Sequence, residues 1–179
     1  MGQKVNPHGL RVGVIKDWVS MDEPTELRQI RSLIGESFDG EDADAESLVR
    51  TVVPTRTFLE KLFLLAEEFQ KEKPRSVRMS RHLYDLEKLM NTEYGKEALS
   101  NRKLYDSIVE HRKAYYALKY VNYDLHVPST INFTIPESVI EAWQDDYADM
   151  RRFFIYGESL EFDELMQKMR ELQERVRVM

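Results

Sequence analysis

The stretch from Pro54 to Met90, PTRTFLEKLFLLAEEFQKEKPRSVRMSRHLYDLEKLM, does most to limit what this chain can fold into. Phe58, Leu59, Leu62, Phe63, Leu65, Ala66 and Phe69 recur at helical spacing, in a stripe wide enough to bury most of a cylinder. Thr57-x-x-Glu60 has the spacing of a capping box, which predicts a helix opening at Thr57. Lys61 interrupts the apolar run. A second helix is predicted from Ser80, a good N-cap type, burying Leu83, Leu86, Leu89 and Met90. Arg81 and Asp85 are four apart on it and share a face. The connection holds Lys71, Lys73, Arg75 and Arg78, which with Arg81 make five cations in eleven residues.

A helix hairpin with a Lys on one arm and Arg and Asp on the other presents a cationic pocket with one carboxylate. Such a pocket suits a polyphosphate, because Lys supplies a point charge and Arg a bidentate fork for phosphate oxygens. The plainer reading of the same spacing is an amphipathic hairpin whose charges are solvated or paired with each other. Spacing alone leaves both open.

Other features narrow the class. With 179 residues the chain is one domain of ordinary size, or one plus a tail, and 42% hydrophobic residues suffice for a core. Zero cysteines exclude a disulfide framework, a thiolate zinc site and a Cys nucleophile. His8, His82, His111 and His126 are scattered, so no metal site built on His is expected. No apolar run approaches a membrane span and no signal peptide opens the chain, which predicts a cytoplasmic protein. The net charge of −6 argues against a protein that coats nucleic acid.

Around the hairpin, MDEPTELRQIRSLIGESF has Leu27, Ile30, Leu33 and Ile34 at helical spacing and predicts an amphipathic helix. DGEDADAES after it is an acidic loop. Asp42-x-Asp44 invites comparison with paired metal carboxylates, but no Gly-Ser turn precedes it, so it reads as loop. Leu48 to Val53 is the best strand candidate. Past the hairpin, Gly95 punctuates the chain, Tyr94 to Leu99 makes a short turn, and a helix around Leu104, Ile108 and Val109 reaches about Tyr116. Ile131 to Ile135 alternates like a brief strand. A helix opening at Glu137 or Ser138 buries Val139, Trp143, Tyr147 and Met150, with Asp145, Asp146 and Asp149 on the solvated side. A last amphipathic helix runs from Leu160 to Val176. Tyr115, Tyr116, Tyr120 and Tyr123 cluster and offer a stacking surface for a base, although aromatic residues at helical spacing are more often core.

RTFLEK followed by RMSRHLYDLEKLM resembles the C-terminal part of the AbiEii/AbiGii-type nucleotidyltransferases, toxins of abortive-infection phage-defence and toxin–antitoxin systems. EPTELRQIRSLI, EHRKAYYALKYVNYDLH, FTIPESVIEAWQDDYADM and IYGESLEFDELM extend the resemblance over about residues 23–179. It implies a mainly α (α+β) fold: a helical C-terminal region, residues 21–179, with a small remnant of the nucleotidyltransferase sheet to which Leu48–Val53 would contribute an edge strand. It also implies Lys61 and Asp85 in the catalytic set. Lys61 would hold the β- and γ-phosphates of an NTP, with Arg81, Arg78 and His82 beside it. Many relatives carry Lys-Asp where this chain has Arg81-His82. His111 and Arg112 keep the family's HR pair and would contact the nucleotide or an acceptor such as tRNA; the plainer reading makes them a polar helix face.

Mg²⁺ and NTP are implied by the same resemblance, yet the Gly-Ser turn and the metal-binding carboxylates are absent before residue 21. The expectation is therefore a triphosphate-binding part that is inactive alone and is completed by a separate N-terminal half. The alternative is a helical module that binds a partner, the antitoxin or that N-terminal half. Residues 1–18, MGQKVNPHGLRVGVIKDW, resemble the N-terminus of the third protein of the small ribosomal subunit, which gives residues 1–20 the reading of a leader. The KH domain with its backbone clamp does not follow. A ribosome-associated fusion protein is thus a third, weaker reading.

Overall fold

In the computed structural model, residues 25–31 and 46–179 are described, and the chain divides into two units between Val53 and Pro54. Residues 1–20, expected as a leader, and Asp42-x-Asp44, expected as loop, lie outside the described residues.

In the first unit, β1 (Thr25–Arg31) pairs antiparallel with β2 (Glu46–Val52), from Thr25 opposite Val52 to Arg31 opposite Glu46. β2 is the strand expected at Leu48–Val53. β1 corrects the helix expected around Leu27 and Ile30: TELRQIR is extended and takes its hydrogen bonds from β2. The i,i+3 spacing of two apolar residues fits a helix, and a partner strand fifteen residues away is invisible to a local pattern.

The second unit is helical. Its axis is α1 (Pro54–Glu68), whose Phe58, Leu59, Leu62, Phe63 and Leu65 are fully buried. The helix opens at Pro54, three residues before the expected start, because proline is pre-organised for a first turn. Glu60 is consequently no capping residue, and its carboxylate accepts from Arg56 and Arg112 instead. Next come α2 (Ser80–Leu89), α3 (Glu93–Ser100) and α4 (Arg102–His111), the last continued by a single π-helical turn over Arg112–Tyr116. α3 replaces the short turn expected at Tyr94–Leu99. Thr92 caps it, its hydroxyl accepting the Gly95 N–H at 3.3 Å. Gly95 is therefore no breaker; a Cβ there would stand 2.2 Å from the Leu89 carbonyl oxygen, so only glycine lets α3 start against the end of α2.

After an irregular stretch come a 3₁₀ turn at Glu137–Val139, α5 (Ile140–Phe153) and α6 (Phe162–Arg177). α6 begins with a reciprocal Glu161/Glu164 capping box. Trp143, Tyr147, Leu165, Met169 and Leu172 join the core. Ile131–Ile135 alternates buried and exposed as expected, but it has no partner strand among the described residues. The Gln173 amide of α6 takes that place, accepting the Phe133 N–H at 3.2 Å and donating to the Ile131 carbonyl at 2.7 Å. The fold is thus mainly α with a two-stranded sheet.

Candidate functional site

α2 carries three of the residues singled out in the sequence, Arg81, His82 and Asp85, and both of its ends are held by side chains from other helices. At its start Arg78 adopts φ = 59° and Met79 occupies the N-cap, so the N–H groups of Arg78 and Ser80 turn toward α5. Asp146 receives them: Oδ1 accepts from Arg78 N at 2.5 Å, and Oδ2 from Ser80 N at 2.9 Å and Ser80 Oγ at 2.5 Å. This corrects two expectations. Ser80 is the first helical residue rather than the cap, and Asp146 is no solvated surface charge. At the other end Arg175 of α6 donates to the Met90 carbonyl at 2.8 Å. A carboxylate at the N-terminus and a guanidinium at the C-terminus both complement the helix dipole.

α2, fixed in this way, lies against α1. Lys61 Nζ stands 2.6 Å from an Asp85 oxygen, with the two side chains 22% and 37% exposed. The bridge lies at the rim of the helix contact, where an ion pair adds little stability and a ligand can reach it. His82 is only 8% exposed, and its Nδ1 is buried without a hydrogen-bond partner. Burial first, then the charges of Lys61 and Arg81, hold its imidazole down to about 4; Asp85 opposes them and Arg75 adds to them. At neutral pH His82 is therefore uncharged and surrounded by cations. The structure brings Lys61, Asp85, His82 and Arg81 together. It adds Arg75, one of the five cations around the connection, near enough for its charge to act on His82. Arg78 gives its backbone to Asp146, and the residue is exposed.

Glu68 anchors the connection at its other end. It is 3% exposed and accepts the Arg75 N–H at 2.7 Å and Lys71 Nζ at 2.7 Å. Burial pushes its carboxyl up, but the Arg75 amide bond and the Lys71 and Arg75 charges more than offset this, and the net shift is downward.

Arg112 and His111 stand elsewhere. Arg112 is 6% exposed and donates through Nε and Nη2 to Glu67, at 2.7 and 2.5 Å, and through Nη1 to Glu60. Burial works against its charge, but the bonds and charges of Glu67, then Glu60, outweigh it and keep the guanidinium protonated. Its guanidinium lies 4.8 Å from the Tyr116 ring centre. His111 stacks on Tyr115 at 4.6 Å. Tyr115, Tyr116 and Tyr120 are exposed, and Tyr123 is buried. No group of three or more His, Asp or Glu among the described residues is placed to hold a metal ion, and Asp85 is committed to Lys61, so these residues do not fit Mg²⁺. An open hollow of about 460 Å³ lies between Lys88, Arg151 and residues 157–160, where Arg151 is already bonded to Glu161 and Ser159.

The family model of the nucleotidyl transferase AbiEii toxin, type IV toxin–antitoxin system, matches residues 11–168. Short N-terminal segments are similar to small ribosomal subunit protein uS3. Identity is 62% over 34 residues with that of Clostridioides difficile, covering 19% of this chain and 12% of the relative. It is 95% over 20 residues with that of Agathobacter rectalis, covering 11% and 9%. The chain thus spans about a tenth of the length of these curated relatives. No solved structure matches it. No helix among the described residues is long and apolar enough to cross a membrane.

Proposed function

The chain belongs to the AbiEii family of nucleotidyl transferase toxins of type IV toxin–antitoxin systems, and from that premise we propose that the rim between α1 and α2 binds the triphosphate of an NTP. The observation that carries this reading is the Lys61–Asp85 bridge, partly open to solvent between α1 and an α2 whose two ends are fixed. Lys61 takes the β- and γ-phosphates as a point charge, and Arg81, with Arg75 or Arg78, supplies a planar fork. Asp85 keeps the Lys61 ammonium at the rim until the phosphates replace it, and then orients it. His82, neutral in the free protein, lies buried beside them and adds no charge of its own to the rim. The transfer would use Mg²⁺, an RNA acceptor such as tRNA, and a cytoplasmic setting in which an antitoxin is the cognate partner. The Mg²⁺ carboxylates come from outside the helical unit, since Asp85 alone cannot hold a metal pair. On this reading the chain transfers no nucleotide until a metal-binding domain joins it.

Calorimetric titration with NTP tests the site. Lys61→Ala and Arg81→Ala are each expected to weaken binding roughly tenfold or more, the worth of one charged hydrogen bond. Added salt weakens it further. Lys168→Ala on α6, whose ammonium pairs with Glu171, is expected to change nothing. Equal affinity in all four proteins would favour a second reading, a helical interaction module, for which the exposed Phe153, Phe154 and Tyr156 speak.

A further inference from the structure

Tyr115, Tyr116 and Tyr120 are 75%, 43% and 44% exposed, three large rings within six residues of one another. Rings of this size are seldom left in water in such a group without a partner that covers them. Their setting is cationic. HRKAYYALKY, from His111 to Tyr120, contains no Asp or Glu in a chain whose net charge is −6. Lys71 lies 5.3 Å from the Tyr120 ring centre, and Lys113 and Lys119 are exposed on the same segment. One nearby acid is weakly held: the Lys113–Asp124 pair, at 3.2 Å, is 62% and 82% exposed and readily given up to another anion, whereas Lys71 is held by the buried Glu68 at 2.7 Å.

The backbone under the rings is fixed. The π-helical turn closes with Ala117 N donating to the Arg112 carbonyl at 3.1 Å, and Ala117 then turns left-handed at φ = 43°. Single π turns are uncommon and recur at functional sites. Below it, Arg112 is locked to Glu67 and Glu60 while its guanidinium supports Tyr116. Beyond it, Leu118 N donates to the Tyr123 hydroxyl at 3.3 Å and Asn122 N to Gln70 Oε1 at 2.7 Å. His111 backs Tyr115 ring against ring. The rings therefore present their faces without a large ordering cost on binding.

We propose that Tyr115, Tyr116 and Tyr120, flanked by Lys71, Lys113 and Lys119, form a stacking platform for a single-stranded nucleic acid. Exposed aromatic faces beside lysines match a strand's unpaired bases and phosphates, and a duplex, whose bases are already stacked, gains little from them. α1 links the platform to the candidate NTP site along the chain: Glu60, which Arg112 holds, precedes Lys61. The proposal rests on the nucleotidyl-transfer reading only in making that strand the acceptor.

The test is fluorescence anisotropy of the full chain with short labelled RNA and DNA single strands of one sequence and with the corresponding duplex. The single strands are expected to bind, more weakly with added salt, and the duplex less well. Tyr115→Ala and Tyr120→Ala are each expected to lower strand affinity about tenfold, within the range for one stacked base. Tyr115→Phe retains the ring and the affinity. Preference for RNA over DNA, or equal binding of both, agrees with the platform. Lys61→Ala is expected to lose NTP and keep the strand, so failure at one site is distinguishable from failure at the other. Strand affinity unchanged in the Tyr115→Ala, Tyr120→Ala double variant would overturn the proposal. So would NTP binding without strand binding, which would give the tyrosines to a protein partner. Loss of NTP affinity in Tyr115→Ala would overturn it too, by assigning the ring to the donor base.

Discussion

His126 shows how one side chain records the cost of burial. Gln70 Oε1 already accepts the Asn122 N–H, so its amide nitrogen faces His126 Nε2 at 3.2 Å and donates to it. The imidazole proton is thereby assigned to Nδ1, which is buried without a partner. Burial, then the Arg112 charge, lowers its pKa to about 4, and His82 reaches about 4 by burial and the Lys61 and Arg81 charges. Both titrate near 6.5 when unfolded. Between pH 6.5 and 4 the unfolded chain thus binds protons that the folded chain refuses, so stability falls as pH falls through that window and is flat above it. Denaturant midpoints measured from pH 8 to 4.5 are expected to follow this course. The His82→Gln, His126→Gln double variant is expected to flatten the slope between 6.5 and 4.5; an unchanged slope would assign it to other groups. Position along the chain foretold neither shift. His82 was legible as a member of a cationic helix face, whereas its burial depends on how α1 and α2 meet.

Among the elements, α2 is the one whose placement decides the site, and its dependence on α5 and α6 was hidden in the sequence. Ser80 looked like the cap because serine so often is one, and Asp146 looked solvated because it lies opposite the Trp143–Tyr147 stripe. The left-handed turn at Arg78 reverses both roles. Asp146→Ala is expected to leave two N–H groups and a buried hydroxyl unpaired. It should cost about 1–2 kcal/mol, as loss of an N-cap does, and speed amide exchange over residues 78–83. Asp146→Asn, which keeps one acceptor, is expected to lose less. A loss below roughly 0.5 kcal/mol, the ordinary range for a surface substitution, would mean that water replaces the carboxylate without penalty. The same kind of non-local partner explains the two misread β segments. Thr25–Arg31 needed β2 to become a strand, and Ile131–Ile135 kept its alternation but met the Gln173 side chain instead of a ladder. Long periodic helices such as α1 and α6 were legible because their burial follows from local spacing. Short segments were not, because their conformation is chosen by what they touch.

At the scale of the whole molecule, the α1–α2 rim supplies cations and one carboxylate, Asp85, committed to Lys61, whereas nucleotidyl transfer needs convergent metal ligands on rigid elements. The candidate carboxylates Asp42 and Asp44 lie outside the described residues, in an acidic run that precedes β2 in the sequence. The prediction is that labelled NTP with Mg²⁺ and total RNA gives no labelled RNA with this chain alone. Adding a separately expressed domain that carries the family's metal carboxylates is expected to give labelled RNA. Lys61→Ala or Asp85→Ala in the helical chain is expected to abolish that gain while the fold, followed by circular dichroism, stays helical. That pair of outcomes would separate binding from transfer, with NTP affinity in the helical chain and turnover in the combination. Robust transfer by the chain alone, lost in Asp42→Ala, would place the metal pair in the acidic run and make the chain a complete enzyme. Transfer in the mixture that survives Lys61→Ala would leave the metal domain sufficient and move the triphosphate site off the α1–α2 rim.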